Sequence, residues 1–322
     1  MTKKVLFLDT VHPILEERLS ALGYHCEEDI TSSKEKIEAK IDDYFGVVIR
    51  SRIPIDKSFL DNATTLKFIA RSGAGLENIN TDYAEKKGVK VFNSPEGNQT
   101  AVGEHALGML LMLFNQLKKG DQEVRQGIWN REGNRGLEIA GKTVGIIGYG
   151  NMGSAFAKVL SGFDCNVIAY DKYKTILRQA QDDIYYKHIE QVDIATIFKE
   201  TDILSIHLPL SDETQHFVNE EFLNQFENPI YIINTARGNN VSISTLVEGL
   251  KSGKVLGACL DVLEYETRSF ETIQEKDLPE DFKYLTQSEK VILSPHVAGW
   301  TKESYIKLSS FLADKIEQAL NQ

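Results

Sequence analysis

Lys142-Thr143-Val144-Gly145-Ile146-Ile147-Gly148-Tyr149-Gly150-Asn151-Met152-Gly153 is the stretch whose reading decides the fold. An apolar strand runs into Gly-x-Gly-x-x-Gly, and the helix-forming run Ser154-Ala155-Phe156-Ala157-Lys158-Val159-Leu160 follows it. A second strand, Asn166-Val167-Ile168-Ala169-Tyr170, ends on Asp171. That order is what a dinucleotide-binding turn requires. Gly148 permits the tight turn, Gly150 lets backbone approach a pyrophosphate, and Gly153 lets helix pack close to strand. Asn151 and Met152 open the helix, whose N-terminus offers unpaired N–H groups to phosphates. Asp171 lies about 20 residues on, where a carboxylate accepts hydrogen bonds from ribose hydroxyls. The same carboxylate repels a 2′-phosphate, so the expected cofactor is NAD rather than NADP. Lys172 and Lys174 soften that preference without reversing it.

The bulk numbers bound the rest. A chain of 322 residues suggests two domains of ordinary size. With 42% hydrophobic and 26% charged residues it reads as a globular protein able to bury a sizeable core. A formal charge of −11 argues against a nucleic-acid or anionic-membrane partner, and an anionic substrate then needs a local cluster of arginines. The three cysteines, Cys26, Cys165 and Cys259, are too widely spaced for a metal-ligand pattern and suit a reducing compartment. No metal is expected. The chain enters a strand directly at Val5-Leu6-Phe7-Leu8, and no apolar run approaches membrane length, so the expected location is the cytoplasm.

Strands and helices alternate from residue 5 to about 95, which indicates a parallel sheet covered on both faces. Gly46–Ile49 and Leu66–Ala70 read as buried strands, the second ending at Arg71-Ser72-Gly73-Ala74-Gly75. A long apolar helix is expected over Thr100–Leu117. A second α/β unit starts near Lys142, with further strands at Ile203–His207, Ile230–Asn234, Val255–Leu260 and Val291–Ser294. The final helix, about Thr301–Leu320, has no later strand to pack on, so it is expected to return to the first sheet. The expected fold is therefore α/β, with two Rossmann-like or flavodoxin-like parallel-sheet domains. The nucleotide domain, 100–295, is inserted in a split substrate domain, 1–99 plus 296–322. The acidic stretch Glu264–Glu280 reads as a solvated loop near the site.

Open α/β sheets bind ligands beyond the carboxyl ends of their strands. Three residues stand just after strands of the second unit: Arg237, Glu266 and His296. Their chemistry fits hydride transfer between NAD and a small anionic 2-hydroxy or 2-oxo acid. A histidine serves as base for the hydroxyl proton and as acid in reverse. A carboxylate behind it stabilises the imidazolium and fixes the tautomer. An arginine offers a planar fork to the substrate carboxylate and polarises the carbonyl oxygen. His207, ending a strand at the same cleft, is a further candidate for contact with the cofactor. His105 reads as a packed or dimer-face residue, and His12, His25, His188 and His216 as surface or turn residues.

With these segments on the page, the chain resembles the D-isomer-specific 2-hydroxyacid dehydrogenase family along nearly its whole length. Arg71–Ile79, Gly148–Gly153 with Asp171, Asn234–Gly238, Gly257–Glu266 and Ser294–Gly299 carry the resemblance in order and spacing. It implies Arg237, Glu266 and His296 as the catalytic set and Asp261 near the nicotinamide. It also implies that backbone N–H groups of the Ser72–Gly75 loop bind the substrate carboxylate. A homodimer built mainly by the nucleotide domains, with hinge closure over the substrate, follows from the same resemblance. One departure is that Thr267 stands where the family usually has proline, which leaves Glu264 as a rival to Glu266; the five-residue offset from Asp261 favours Glu266. A regulatory domain of the kind some relatives carry is not expected after the final helix.

Arg50, Arg52 and Arg71 sit at or near strand ends of the first domain. Three cations beside the substrate loop of an acidic protein suggest a second anion such as a phosphate, unless they pair with local carboxylates such as Glu77 or Asp56. With Ser94–Asn98 they resemble the 3-phosphoglycerate dehydrogenase branch of the family. The expected reaction is 3-phosphoglycerate to 3-phosphooxypyruvate in serine synthesis, with hydroxypyruvate or glyoxylate reduction as the alternative. A non-catalytic NAD-binding sensor or co-repressor is the alternative of another class. It would leave the arginine, glutamate and histidine without a task.

Overall fold

The computed structural model describes residues 3–173, 189–266 and 278–320. Lys174, His188 and the run 267–277, each named above, lie outside the described residues. The chain divides into two units: Met1–Gln99 with Trp300–Gln322, and Thr100–Gly299.

In the first unit the strands are β1 (Lys4–Phe7), β2 (His25–Glu28), β3 (Gly46–Ile49), β4 (Phe68–Arg71) and β5 (Lys90–Asn93). They form a parallel sheet ordered β2-β1-β3-β4-β5, the flavodoxin-like doubly wound order. β3 is buried at every position, as a strand covered on both faces must be. The helix Lys302–Leu320 supplies part of that cover. Its Leu312, Ala313 and Ile316 are fully buried with Val5, Phe7 and Phe68. Arg18 fastens it to the first helix through ion pairs to Asp314 and Glu317. Gly97 lets its backbone lie against the same helix, since a Cβ there would stand 2.6 Å from the Leu308 nitrogen.

The second unit holds β6 (Thr143–Ile147), β7 (Asn166–Tyr170), β8 (Ile189–Gln191), β9 (Ile203–Ile206), β10 (Ile230–Asn234), β11 (Val255–Leu260) and β12 (Val291–Leu293). The order is β12-β11-β10-β9-β6-β7-β8, all parallel among the described residues. The strand order reverses between β6 and β9, which is where such sheets bind ligands. One face is covered by the helices Gln99–Phe114 and Asn151–Leu160, through Met109, Phe114, Phe156 and Leu160. The helices Ile194–Glu200 and Ile243–Ser252 cover the other, through Ile197, Leu246 and Val247. The helix expected to reach Leu117 stops at Phe114, because Gln116 turns left-handed at φ 52° and a new helix, Leu117–Arg125, starts beyond it.

The return to the first unit falls after Gly299 because the segment before it is bonded into the second. Val297 and Ala298 donate their N–H groups to the Asp261 carboxylate. Among the described residues no helix is long and apolar enough to cross a membrane.

Candidate active site

The glycine turn is built as its sequence requires. Gly148 has φ +88°, and a Cβ on it would stand 2.6 Å from the His207 carbonyl oxygen. Gly150 is the N-cap of the helix Asn151–Leu160. A Cβ on Gly153 would meet the Gly148 oxygen at 2.1 Å, so the helix lies directly on the turn. The end of β7 is tied to the same turn: Gly148 N donates to Tyr170 O at 2.9 Å, and Tyr149 N donates to Asp171 Oδ2 at 2.8 Å. The first-turn N–H groups of Asn151 and Met152, the glycine cradle and the Asp171 carboxylate thus fit a dinucleotide.

His207 requires a correction. Its ring is turned into the core, 5.6 Å from the Phe156 ring centroid, with Nε2 2.9 Å from Ser205 Oγ. Burial pushes the imidazole down to about 4. Ser205 and His207 are two apart and so share one side of the chain. What lies against the glycine turn is the His207 carbonyl, not its side chain.

The adjacent strands β10, β11 and β12 carry Arg237, Glu266 and His296 beyond their carboxyl ends. Asn234 shapes the first turn, accepting from Ala236 N at 3.0 Å and donating to Arg237 O at 3.0 Å. Arg237 N donates to Asn240 Oδ1, and the guanidinium donates to Ala236 O at 2.7 Å. Gly238 then presses against the next strand's turn, with room for no side chain: a Cβ would stand 2.0 Å from Leu263 O. Leu263 N in turn donates to Glu266 Oε1 at 2.6 Å, and Glu266 Oε2 lies 2.7 Å from His296 Nδ1. A continuous path of backbone packing and hydrogen bonds therefore links the three. Glu264 is occupied elsewhere, 2.9 Å from His216 Nε2, with Ile243 N donating to its other oxygen.

His296 sits at φ +54°, a left-handed conformation that costs a non-glycine residue on the order of 1–3 kcal/mol. Asp261, 1% exposed, holds it there. Its backbone oxygen accepts from His296 N at 2.7 Å. Its carboxylate accepts from Val297 N at 2.9 Å, Ala298 N at 2.8 Å and Ser294 Oγ at 2.6 Å. His105 joins this group, with Nε2 2.9 Å from Ser294 Oγ and 3.5 Å from the Asp261 carboxylate. Because the serine hydroxyl donates to Asp261, the ring nitrogen is the donor in that contact. His105 is thus a packed residue that supports the site; Ser294 stands 189 positions away and no local pattern announces the pair. Asp261→Asn replaces an acceptor by a donor against these N–H groups. It is expected to cost about 1–3 kcal/mol of stability, as for a buried unsatisfied donor, and to lower kcat with it. Thermal denaturation and steady-state rates check this, and an unchanged Tm would remove the clamp.

In the first unit, Arg52 also departs from expectation. Its guanidinium donates to three backbone carbonyls, Leu8, Ser32 and Asp29, at 2.6–2.7 Å, so it fastens loops and is not a ligand for substrate. Arg50 stacks on Trp300, 4.3 Å from guanidinium carbon to ring centroid, and burial holds its pKa below the usual arginine value. Among the described residues that guanidinium has no hydrogen bond or ion pair. Arg71 donates from Nε to Arg50 O at 3.1 Å and lies over Gly73, whose Cβ would stand 2.5 Å from Arg71 Nη1. Ser72 N is spent on Ile49 O, so that N–H is withdrawn from the expected substrate set. Gly73, Ala74 and Gly75 follow, and among the described residues their N–H groups have no acceptor.

Residues 107–298 match the family model for the D-isomer specific 2-hydroxyacid dehydrogenase NAD binding domain. A hydroxypyruvate reductase of Thermotoga maritima is 33% identical over 95% of this chain and 92% of its own length. A D-3-phosphoglycerate dehydrogenase of Archaeoglobus fulgidus is 30% identical over 94% of this chain, which spans only 55% of that protein. The D-lactate dehydrogenase of Aquifex aeolicus, solved with NAD and lactic acid, superposes with a TM-score of 0.82 at 25% identity, over 99% of this chain and 96% of that one. The chain belongs to the D-isomer-specific 2-hydroxyacid dehydrogenase family and is an NAD-dependent oxidoreductase.

Proposed function

We propose that the protein interconverts 3-phosphoglycerate and 3-phosphooxypyruvate, with Arg237, Glu266 and His296 as its catalytic residues. The observation that carries the substrate assignment is the Arg50 guanidinium, partly buried on Trp300, which feels the nearby Asp9 charge but makes no ion pair among the described residues. A desolvated cation of this kind favours binding a charged group. Arg71 is its neighbour, and the two would take the phosphate while the N–H groups of Gly73, Ala74 and Gly75 take the carboxylate.

The bound nicotinamide supplies the hydride acceptor or donor. The residues supply the rest. With Glu266 on Nδ1, the neutral His296 ring keeps its proton on that nitrogen, and Nε2 is the basic atom. In oxidation Nε2 takes the proton of the substrate's 2-hydroxyl, and Glu266 balances the imidazolium that forms. In reduction the same nitrogen returns the proton to the oxygen at C2. Arg237 pairs with the carboxylate and draws electron density toward that oxygen, which favours hydride addition to the carbon in reduction and stabilises the charge on oxygen in the same transition state during oxidation.

Hydroxypyruvate is the second reading. It is favoured by the commitment of Arg52 to backbone carbonyls and by the near full-length match to a hydroxypyruvate reductase. Absorbance at 340 nm with each acid and its cofactor form separates the two. Arg50→Gln is expected to raise KM for 3-phosphoglycerate about tenfold or more, the worth of one charge-assisted hydrogen bond, while the hydroxypyruvate KM stays within about twofold. Equal effects on both acids would remove the phosphate role. A non-catalytic sensor would show no turnover on any acid. Two copies are proposed to associate through the second unit, where Leu117, Val124, Ile128, Trp129 and Leu137 are exposed. The three cysteines are free thiols, in keeping with the reducing cytoplasm.

A further inference from the structure

Asp171 discourages a 2′-phosphate, but the residue after it is a lysine, and a lysine there is the natural partner for that phosphate. In the structure Lys172 is already engaged: its Nζ forms an ion pair with Glu213. Tyr173 ties the group together. Its N–H donates to Asp171 Oδ1 at 2.9 Å and its hydroxyl to Glu213 Oε2 at 2.5 Å. The two carboxylates are therefore bridged by one residue, with the lysine between them in sequence.

Glu213 is not on a loose segment. It follows β9, which pairs with β6 at the point where the strand order reverses and the dinucleotide turn lies. Thr214 Oγ1 donates to Pro209 O at 2.6 Å and accepts from Ser211 N at 2.8 Å. Asn240 donates to Thr214 O, and His216 N donates to Asn239 O at 2.6 Å. The turn is thus braced against the Arg237–Asn240 segment. Pairing with Lys172 holds Glu213 below the usual carboxylate range, so it is charged at neutral pH. Exposed ion pairs add little to stability, so the consequence of this one lies in what it denies to a ligand.

We propose that Glu213 is a specificity-determining residue that excludes NADP, by occupying Lys172 and by placing a second carboxylate beside Asp171. The proposal rests on the dinucleotide reading of the Gly148–Gly153 turn. A 2′-phosphate brings a charge of roughly −1.5 to −2. In the native protein it meets Asp171 and Glu213 with Lys172 neutralised. Without Glu213, Lys172 and the Tyr173 hydroxyl become available as donors to the phosphate, and one repulsive charge is gone.

The test is direct binding of NADH and NADPH to the full chain, by calorimetry at one fixed ionic strength, for the native protein, Glu213→Gln, and Glu213→Gln combined with Lys172→Ala. Glu213→Gln is expected to tighten NADPH about tenfold, as one gained charge-assisted hydrogen bond implies, with NADH within about twofold. The gain is expected to vanish in the double variant. Normal NADH binding by Glu213→Gln with an unchanged ratio of NADPH to NADH affinity would overturn this assignment alone. A gain that persists in the double variant would overturn the role given to Lys172. Failure of the native protein to bind NADH at all would overturn the dinucleotide reading, and this assignment with it.

Discussion

His296→Asn is expected to lower kcat by about 10²–10⁴-fold in both directions, the range for loss of a general acid–base, with the Kd for NADH within about twofold. Asparagine is the informative replacement. His296 has φ +54°, and asparagine visits the left-handed region more readily than alanine, so the backbone held by Asp261 is kept. Its amide still offers a donor toward Glu266, whose Oε1 continues to accept from Leu263 N. What is lost is the ability to accept a proton from the substrate hydroxyl and hand it back. Steady-state kinetics with stopped-flow NADH binding separate the two effects. If kcat stays within about threefold, proton transfer by this ring is excluded as a contributor of general acid–base size.

The arrangement behind that expectation was only partly legible in the sequence. β6 with its glycines and β9 to β12 are strands buried on both faces, so they read as continuous apolar runs, and the turns after them mark the carboxyl edge of the sheet. β2 escaped notice because it is an edge strand, His25-Cys26-Glu27-Glu28, paired only to β1 and half exposed along its length. β8 is short and lies at an edge of the seven-stranded sheet. The site shows the same division. The choice of Glu266 over Glu264 needed the turn that brings one to His296 and the other to His216. Arg52 read as a ligand because cations at strand ends often are. Its true partners are backbone carbonyls, which every residue carries and which composition cannot reveal. His105 and Ser294 meet only through the packing of the helix Gln99–Phe114 on the sheet, a tertiary fact with no trace in local pattern.

Arg237→Ala is expected to lower kcat/KM for the acid substrate by about 10²–10³-fold, as loss of one preorganised oxyanion donor does, and Arg237→Lys is expected to restore little of it. The reason lies in how the side chain is placed. Asn234, Asn240 and the Leu263 carbonyl against Gly238 fix the backbone on both sides of Arg237. One Nη donates to Ala236 O, which sets the plane of the guanidinium. A lysine carries the same charge but has neither the plane nor the fork, and it cannot hold the Ala236 oxygen and a carboxylate at once in that geometry. Loss of the fork should raise KM for the acid and lower kcat together, because the same group grips the carboxylate and stabilises the developing charge at the C2 oxygen. NADH affinity, measured alongside, should be unchanged. A lysine variant with native kcat and native KM would reduce Arg237 to a point charge and leave the oxygen at C2 to His296 alone.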